Sequence, residues 1–305
     1  MLLLTKYTLL YSVVLMLVAL GGMFSERSGI INIALEGIMV VGGLVGVLVT
    51  SAMNTCAPAM IVTVSILAAG LAGIVYSLLL AFASINLKAD QTIGGTALNI
   101  LATAIAMVIA KRVNGTQSPK LDYLNGPFIF EIKGLTLNWF IVLGIVLLFA
   151  AYVLLYKTRL GLRLRSCGEH PQAADSVGIN VYKMRYTGVI FSGLLGGIGG
   201  FAYIAPAVQS WNFEMGVAGM GCLALAVMIF GQWKPFRILF AALFFSLFRA
   251  MANIADSIPF LAQLHWPKEI YNMMPFIASM VVLALTSKKS RAPKAEGVPY
   301  DKGMR

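Results

Sequence analysis

The sequence predicts an all-α fold, a polytopic bundle of about nine transmembrane helices. Hydrophobic residues make up 59% of the 305 residues and charged residues only 11%, whereas a soluble domain carries about 25% charged residues. The apolar residues form runs of about 20, the length at which a helix crosses a bilayer. No polar stretch is long enough to bury a core of its own, so no separate soluble domain is expected.

Nine apolar runs are interpreted as membrane spans. They lie near residues 7–24, 30–50, 58–86, 92–110, 136–156, 184–205, 217–232, 237–255 and 270–287. The third run is long enough to be tilted or broken. The seventh is short, and its glycine-rich entry indicates a discontinuous helix. Between the fourth and fifth runs, Asn125-Gly126-Pro127 predicts a turn in an extramembrane loop.

The longest polar interruption, residues 157–185, orients the bundle. It carries six basic residues: Lys157, Arg159, Arg163, Arg165, Lys183 and Arg185. Because basic loops stay in the cytoplasm, residues 157–183 are expected inside, with the N-terminus outside and the C-terminus inside. The net charge of +11 comes largely from residues at the ends of apolar runs, so no nucleic-acid partner is expected.

The middle of this loop predicts a short helix. Pro171 suits the first helical position, and Gly178 is placed to end the helix. Ala173, Ala174 and Val177 are expected to share a small apolar face. Such a helix is either a docking surface for a partner or a solvated connector that only sets topology, and the residues leave both interpretations open.

The same loop resembles the coupling loop of ABC importer permeases of the branched-chain amino acid, simple-sugar and nucleoside group. The general form there is basic-x-x-G-x-x-x-R-A-x-G-x-x-x-x-A-A-x-x-x-G-I-x-V. The matching residues are Gly161, Arg165, Gly168, Ala173, Ala174, Gly178, Ile179 and Val181. The resemblance implies coupling to an ATPase through the residues around the short helix. These are Gly168, Glu169, Pro171, Ala173, Ala174, Val177 and Gly178.

A second motif, SERSGIINIALEG at residues 25–37, places an ionisable residue within an apolar run. Glu36 is expected about two turns from the cytoplasmic end of its helix, with Asn32 one turn before it on the same face. Ionisable groups at membrane depth usually face the bundle interior or a water-filled path. A polar patch beside a substrate path and a structural clamp between helices are equally open interpretations.

Two further patterns involve polar and small residues. In QTIGGTALN, residues 91–99, Thr96 and Asn99 could line one helix face and bond an uncharged solute, or could join helices. Arg249 is placed either to reach the membrane surface or to pair with Glu214 or Asp256. Three small-xxx-small glycine pairs favour close helix packing. They are Gly42 and Gly46, Gly193 and Gly197, and Gly196 and Gly200.

The 25–37 motif closely resembles the ERSGxxNIxLEG signature of the nucleoside-type permeases; the sugar-type members carry a Gly-Ile-Asp-Leu-Ser-type sequence there. Residues 212–235 resemble the group's glycine-rich stretch and its IALAxxIFGxWxP run, with Met220 replacing the usual basic residue. The resemblance covers residues 8 to 287. It implies the permease subunit of an ATP-driven ABC importer in the bacterial inner membrane, forming the path for a nucleoside or simple sugar.

The resemblance also implies partners. They are an ATPase with two nucleotide-binding domains, a substrate-binding lipoprotein, membrane lipid, and a second homologous permease or a second copy of this chain. ATP and Mg²⁺ would bind to the ATPase, because this chain lacks the Gly-x-x-x-x-Gly-Lys-Ser/Thr loop. No cofactor or enzymatic activity is expected here. Residues 1–287 are interpreted as the permease domain and residues 288–305 as a basic, disordered cytoplasmic tail.

An ion-coupled secondary transporter of a small polar solute is the alternative. Such transporters usually need ionisable groups near the membrane midplane. Glu36 is nearly alone in that position, so the importer is favoured.

Overall fold

A computed structural model describes residues 2–115, 117–132, 135–255, 268–286 and 292–302. Within these residues the chain forms 11 α-helices. They are α1 Leu2–Arg27, α2 Leu35–Ala52, α3 Pro58–Ala81, α4 Gln91–Asn114, α5 Trp139–Lys157, α6 Arg159–Glu169, α7 Pro171–Ser176, α8 Val181–Ile204, α9 Met220–Phe230, α10 Pro235–Asn253 and α11 Lys268–Thr286. A π-helical segment, Phe82–Asn86, continues α3.

The predicted helical bundle is confirmed, and its spans can be compared one by one. The nine predicted runs correspond to α1–α5 and α8–α11. Among the described residues, seven helices are long and apolar enough to cross a membrane: α1 to α5, α8 and α10. The seventh run forms α9, a helix of only 11 residues, which is about 16 Å long and too short to cross alone.

At one end of the bundle, here called the strand end, two small antiparallel sheets form that the sequence did not predict. Their strands are β1 Lys120–Asp122, β2 Ile129–Ile132, β3 Leu135–Asn138 and β4 Ser210–Asn212, paired as β1 with β4 and β2 with β3. Leu121 lies opposite Trp211. The Tyr123 hydroxyl donates to the carbonyl of Ile204 at 2.7 Å, which ties this strand end to α8. The connecting segments must satisfy their own backbone groups, and strand pairing does so.

Helices α1, α2 and α8 form the centre of the bundle. They are buried over most of their length, whereas α3, α4 and α5 keep one face open. That open face carries apolar side chains such as Leu71, Ile100 and Val146. Lipid tails are as apolar as these side chains, so their exposure on a membrane-spanning helix is expected.

Glycines allow the central helices to approach one another closely. A Cβ on Gly197 of α8 would lie 2.4 Å from the carbonyl oxygen of Ala69 in α3. A Cβ on Gly200 would lie 2.0 Å from the carbonyl oxygen of Met39 in α2. Helix packing thus explains the glycine pairs that the sequence showed.

The opposite end of the bundle, here called the loop end, holds α6, α7 and the C-terminal segment. The prediction of a disordered tail was wrong for residues 292–302, which pack onto the bundle: Tyr300 is 5% exposed. The lysines and prolines of this segment gave it a disordered composition. Its aromatic ring and its backbone groups nevertheless find buried partners. Residues 287–291 and 303–305 lie outside the described residues.

The glycine packing yields a stability prediction. Gly197→Ala should lower the free energy of unfolding by about 1–3 kcal/mol, because the new methyl group meets the α3 backbone. The matched control is Gly94→Ala in α4, where the nearest atom would be 4.0 Å away. It should be neutral or slightly stabilising. Thermal unfolding of the purified variants in detergent measures the difference, and equal midpoints would contradict the packing argument.

Candidate functional site

The chain between α1 and α2 runs through the bundle interior without forming a helix. Gly29 adopts φ +97°, a conformation that glycine accepts at little cost, and it lets the chain turn after α1. Ser25 Oγ donates to the carbonyl of Ile30 at 2.8 Å, and Ser28 Oγ donates to the carbonyl of Ser25 at 2.6 Å. The serines of the ERSG motif therefore close this turn.

The predicted relation between Asn32 and Glu36 was wrong. Helix α2 begins at Leu35, so Glu36 lies in its first turn, not two turns inside. Asn32 lies in the non-helical segment and shares no helix face with Glu36. The isoleucines of this segment extend the apolar run, and hydropathy alone does not separate an apolar buried loop from a helix.

Glu36 caps a different helix from its own. Its Oε1 accepts a hydrogen bond from the amide of Gly219 at 2.8 Å. Its Oε2 accepts one from the amide of Gly221 at 2.6 Å. These amides stand at the start of α9, where N–H groups lack partners within the helix and negative charge is favourable. Glu36 thus binds α9 to α2, which supports the clamp interpretation.

The space around Glu36 is built for this contact. A Cβ on Gly221 would lie 2.5 Å from the Glu36 amide nitrogen, so glycine is required there. Gly219 adopts φ +76° and Ala218 φ +52°; these left-handed residues turn the chain into α9. Arg249 of α10 also interacts electrostatically with Glu36. No ion pair joins Arg249 to Glu214 within the described residues, and Asp256 lies outside them.

Two asparagines fix the start of α2 from its other sides. Asn99 of α4 accepts from the amide of Gly37 at 2.7 Å and donates to the carbonyl of Ile33 at 2.9 Å. Asn32 donates to Ser192 Oγ of α8 at 2.7 Å. The Oδ1 atom of Asn32 is buried and accepts no hydrogen bond within the described residues. Among the described residues, this oxygen is thus a buried acceptor that is open to a donor.

Thr96 lies apart from the other three candidates. It is exposed, and its hydroxyl donates to the carbonyls of Thr92 and Ile93 in its own helix, at 3.0 Å each. The predicted shared face with Asn99 was therefore wrong. Residues three apart are about 60° apart around a helix, and α4 turns Gly95 and Asn99 toward α2 while Thr96 faces outward.

The loop end positions the predicted coupling residues. Gly168 packs against the end of α1, where a Cβ would lie 2.3 Å from the carbonyl oxygen of Arg27. Glu169 pairs with Arg27 at 3.6 Å. Pro171 opens α7 as predicted. Gly178, at φ +83°, donates to the carbonyl of Asp175 at 2.9 Å, so it ends the helix as predicted.

The predicted apolar face of α7 divides between its two sides. Ala173 is exposed and Val177 is 74% exposed, whereas Ala174 is 3% exposed. Ala174 packs with Cys167 in a buried cluster. Burial raises the pKa of the Cys167 thiol. The prediction of a shared face was wrong, because Ala173 and Ala174 are consecutive and their side chains point about 100° apart around the helix. Only Ala173 and Val177 remain available to a partner.

Sequence reasoning missed a polar junction between two motifs. The indole of Trp233 donates to Glu26 Oε2 at 2.5 Å, and Arg27 Nη2 donates to the carbonyl of Trp233 at 3.3 Å. Glu296 of the C-terminal segment lies beside Glu26, and burial raises the pKa of Glu296, which favours a neutral carboxyl there. Both motifs were visible in the sequence, but their spacing of about 200 residues could not show that they meet.

The long apolar helices define a multi-pass membrane protein. The chain belongs to the family described as branched-chain amino acid transport system / permease component, which matches residues 4–285. This is a family of transport subunits and not of enzymes.

Individual relatives extend the comparison. The guanosine ABC transporter permease protein NupQ of Bacillus subtilis is 40% identical over 98% of this chain and 96% of its own. The nucleoside ABC transporter permease protein NupC of Lactococcus lactis is 40% identical over 96% and 95%. The nucleoside ABC transporter permease protein NupB of the same organism is 28% identical over 55% and 46%. No solved structure gives a significant match.

The capping contact yields a second prediction. Glu36→Gln should lower the free energy of unfolding by about 1–3 kcal/mol, because one carboxylate oxygen becomes an NH₂ group that faces an amide donor. The matched control is Glu214→Gln, at an exposed position, which should change little. Thermal unfolding in detergent compares the two. A variant at position 36 as stable as the wild type would show that the carboxylate is not needed as a cap.

Proposed function

We propose that this chain is the permease subunit of an ATP-driven ABC importer that carries nucleosides across the bacterial cytoplasmic membrane. The observation that carries the proposal is the 40% identity, over nearly the whole chain, to permeases named for guanosine and for nucleosides. The motif at residues 25–37 supports it, because it resembles the signature of the nucleoside-type permeases. A simple sugar is the second candidate solute.

In this proposal the loop end faces the cytoplasm. The six basic residues of 157–185 favour that side. The ends of α1 and α9 and the C-terminal segment gather at the same end, through the contacts of Arg27 with Glu169 and with Trp233, and of Lys88 with Asp301. The N-terminus and the strand end would then face outside.

The proposed partners bind at opposite ends. The ATPase, with two nucleotide-binding domains and its ATP and Mg²⁺, docks on the exposed side of α7 around Ala173 and Val177. The substrate-binding lipoprotein delivers the solute at the strand end. A second permease completes the path, because two permeases named for nucleosides in one organism both resemble this chain. A second copy of this chain is the alternative, and lipid covers the remaining apolar faces.

The proposed path residues have different roles. Asn32 keeps a buried acceptor oxygen without a donor, and it is the residue placed to bond a passing solute. Glu36 and Asn99 hold the start of α2 in place beside it. Thr96 faces outward, toward the second permease. The two asparagines are uncharged and offer no cationic clamp for a phosphate, so the path suits nucleosides and not nucleotides.

The same geometry weighs against the ion-coupled secondary transporter. Coupling needs an ionisable group that can exchange its ion during transport. Both carboxylate oxygens of Glu36 already accept backbone hydrogen bonds. Its carboxylate is thus used in holding α9.

The proposed orientation predicts a labelling pattern. In a variant with Cys56, Cys167 and Cys222 replaced by serine, Leu124→Cys should react with an impermeant thiol reagent in intact cells. Both Leu124 and Lys294 are exposed, so the fold of this chain itself shields neither position. Lys294→Cys should react only after the cells are permeabilised. The reverse pattern would invert the topology and remove α7 from the cytoplasm.

The proposed function predicts ATP-driven nucleoside uptake. A strain lacking this chain should lose uptake of labelled guanosine, and the wild-type chain should restore it. In vesicles containing the full complex, uptake should require ATP and should not be competed by guanosine monophosphate. Uptake driven by a proton gradient without ATP would favour the secondary transporter. Uptake of ribose but not of guanosine would keep the importer and change its solute.

A further inference from the structure

The C-terminal segment 292–302, here called the strap, joins four separate parts of the loop end. Its connections are Ala295 N to Gly168 O (2.9 Å), Gly297 N to Gly29 O (3.2 Å), Arg185 Nη2 to Val298 O (3.0 Å) and Lys88 Nζ to Asp301 Oδ2 (2.6 Å). Gly168 belongs to α6, and Gly29 to the turn that follows α1. Arg185 belongs to α8, and Lys88 to the loop that precedes α4. One short segment thus bridges elements that are far apart in the sequence.

Tyr300 places the strap directly behind α7. Its side chain shares a buried cluster with Cys167, Ala174 and Val181, and its ring lies 5.5 Å from that of Tyr182. Ala174 stands on the inner side of α7, whereas Val177 stands on the outer side. The strap therefore lies on the buried side of α7, opposite the exposed side that carries Val177.

Arg185 is a buried cation that takes interaction partners from the strap. It is only 1% exposed, and no carboxylate lies within 4.0 Å of it among the described residues. The strap supplies the carbonyl of Val298 and the ring of Tyr300, 6.0 Å from the guanidinium carbon. A buried charge needs such partners, so the strap's position is specified and is not incidental packing.

We propose that the strap is a coupling element: it holds α7, the turn after α1 and the start of α8 as one unit, with Tyr300 as the positioning residue behind α7. This inference rests on the proposed function, in which an ATPase docks on the outer side of α7. A motion of α7 then reaches the segment that carries Asn32 through the strap's bonds to Gly168 and Gly29. Without the strap, these hydrogen bonds between the α7 region and the turn after α1 would be absent, and a motion of α7 would not be passed on through them.

The test uses the complete complex in vesicles and measures labelled guanosine imported per ATP hydrolysed. Tyr300→Ala should lower this ratio severalfold, while Tyr300→Phe, which keeps the ring, should restore it. Val298→Ala is the matched control, because that side chain is 54% exposed and its backbone contact remains. Val177→Arg, on the outer side of α7, serves as the docking comparator.

The outcomes separate the two proposals. A normal ratio for Tyr300→Ala together with a low ratio for Val177→Arg would overturn the strap and leave the importer standing. Normal ratios for both would overturn docking at α7 and the strap with it. If Tyr300→Ala yields no folded complex, Tyr300→Leu is measured instead, since it keeps apolar bulk without the ring. A wild-type ratio there, matching Tyr300→Phe, would count against the positioning role, and a reduced one would support it.

Discussion

The need to satisfy every backbone polar group away from water governs this structure. A helix that begins inside an apolar bundle leaves amide groups without partners, and no water replaces them there. Both α2 and α9 begin in this way, and each receives its partners from another helix. Asn99 bonds the amide of Gly37 in α2, and Glu36 bonds the amides of Gly219 and Gly221 at the start of α9. Two polar residues of the site, Glu36 and Asn99, therefore satisfy backbone amides at the starts of helices.

Glycine packing provides the second constraint. Helix α8 presents Gly193, Gly197 and Gly200 to its neighbours α2 and α3, and side chains at these positions would collide with backbone or side-chain atoms. Such contacts gain dispersion energy without a hydrophobic driving force, which is weak between helices in lipid. These close contacts hold α8 against α2 and α3. Glu36 lies in the first turn of α2, and α7 directly precedes α8 in the chain.

Hydropathy located nine of the 11 described helices, because long apolar runs form them. It did not show that α9 is too short to cross the membrane alone. Local signals also predicted the limits of α7 correctly: the helix begins at Pro171 and ends before Gly178, as the backbone preferences of these residues predict. The errors lie where tertiary contacts decide. The start of α2 depends on Gly29 and on the Asn99 cap, which spacing does not reveal. Ala174 is buried in a cluster that includes Tyr300. Residues 292–302 pack against partners that are more than 100 residues away in the sequence.

The cap that Glu36 gives to α9 has a consequence for biogenesis. Helix α9 has 11 residues, too few for stable insertion as a separate span, and its first amides have no acceptor in lipid. Their acceptor, the carboxylate of Glu36, precedes Gly219 by about 180 residues in the sequence and is therefore synthesised earlier. Helix α2, which carries this acceptor, is already synthesised when α9 emerges, so the contact can form as soon as α9 enters the membrane. The placement of α9 in the membrane thus depends on its contact with α2 and not on its own length.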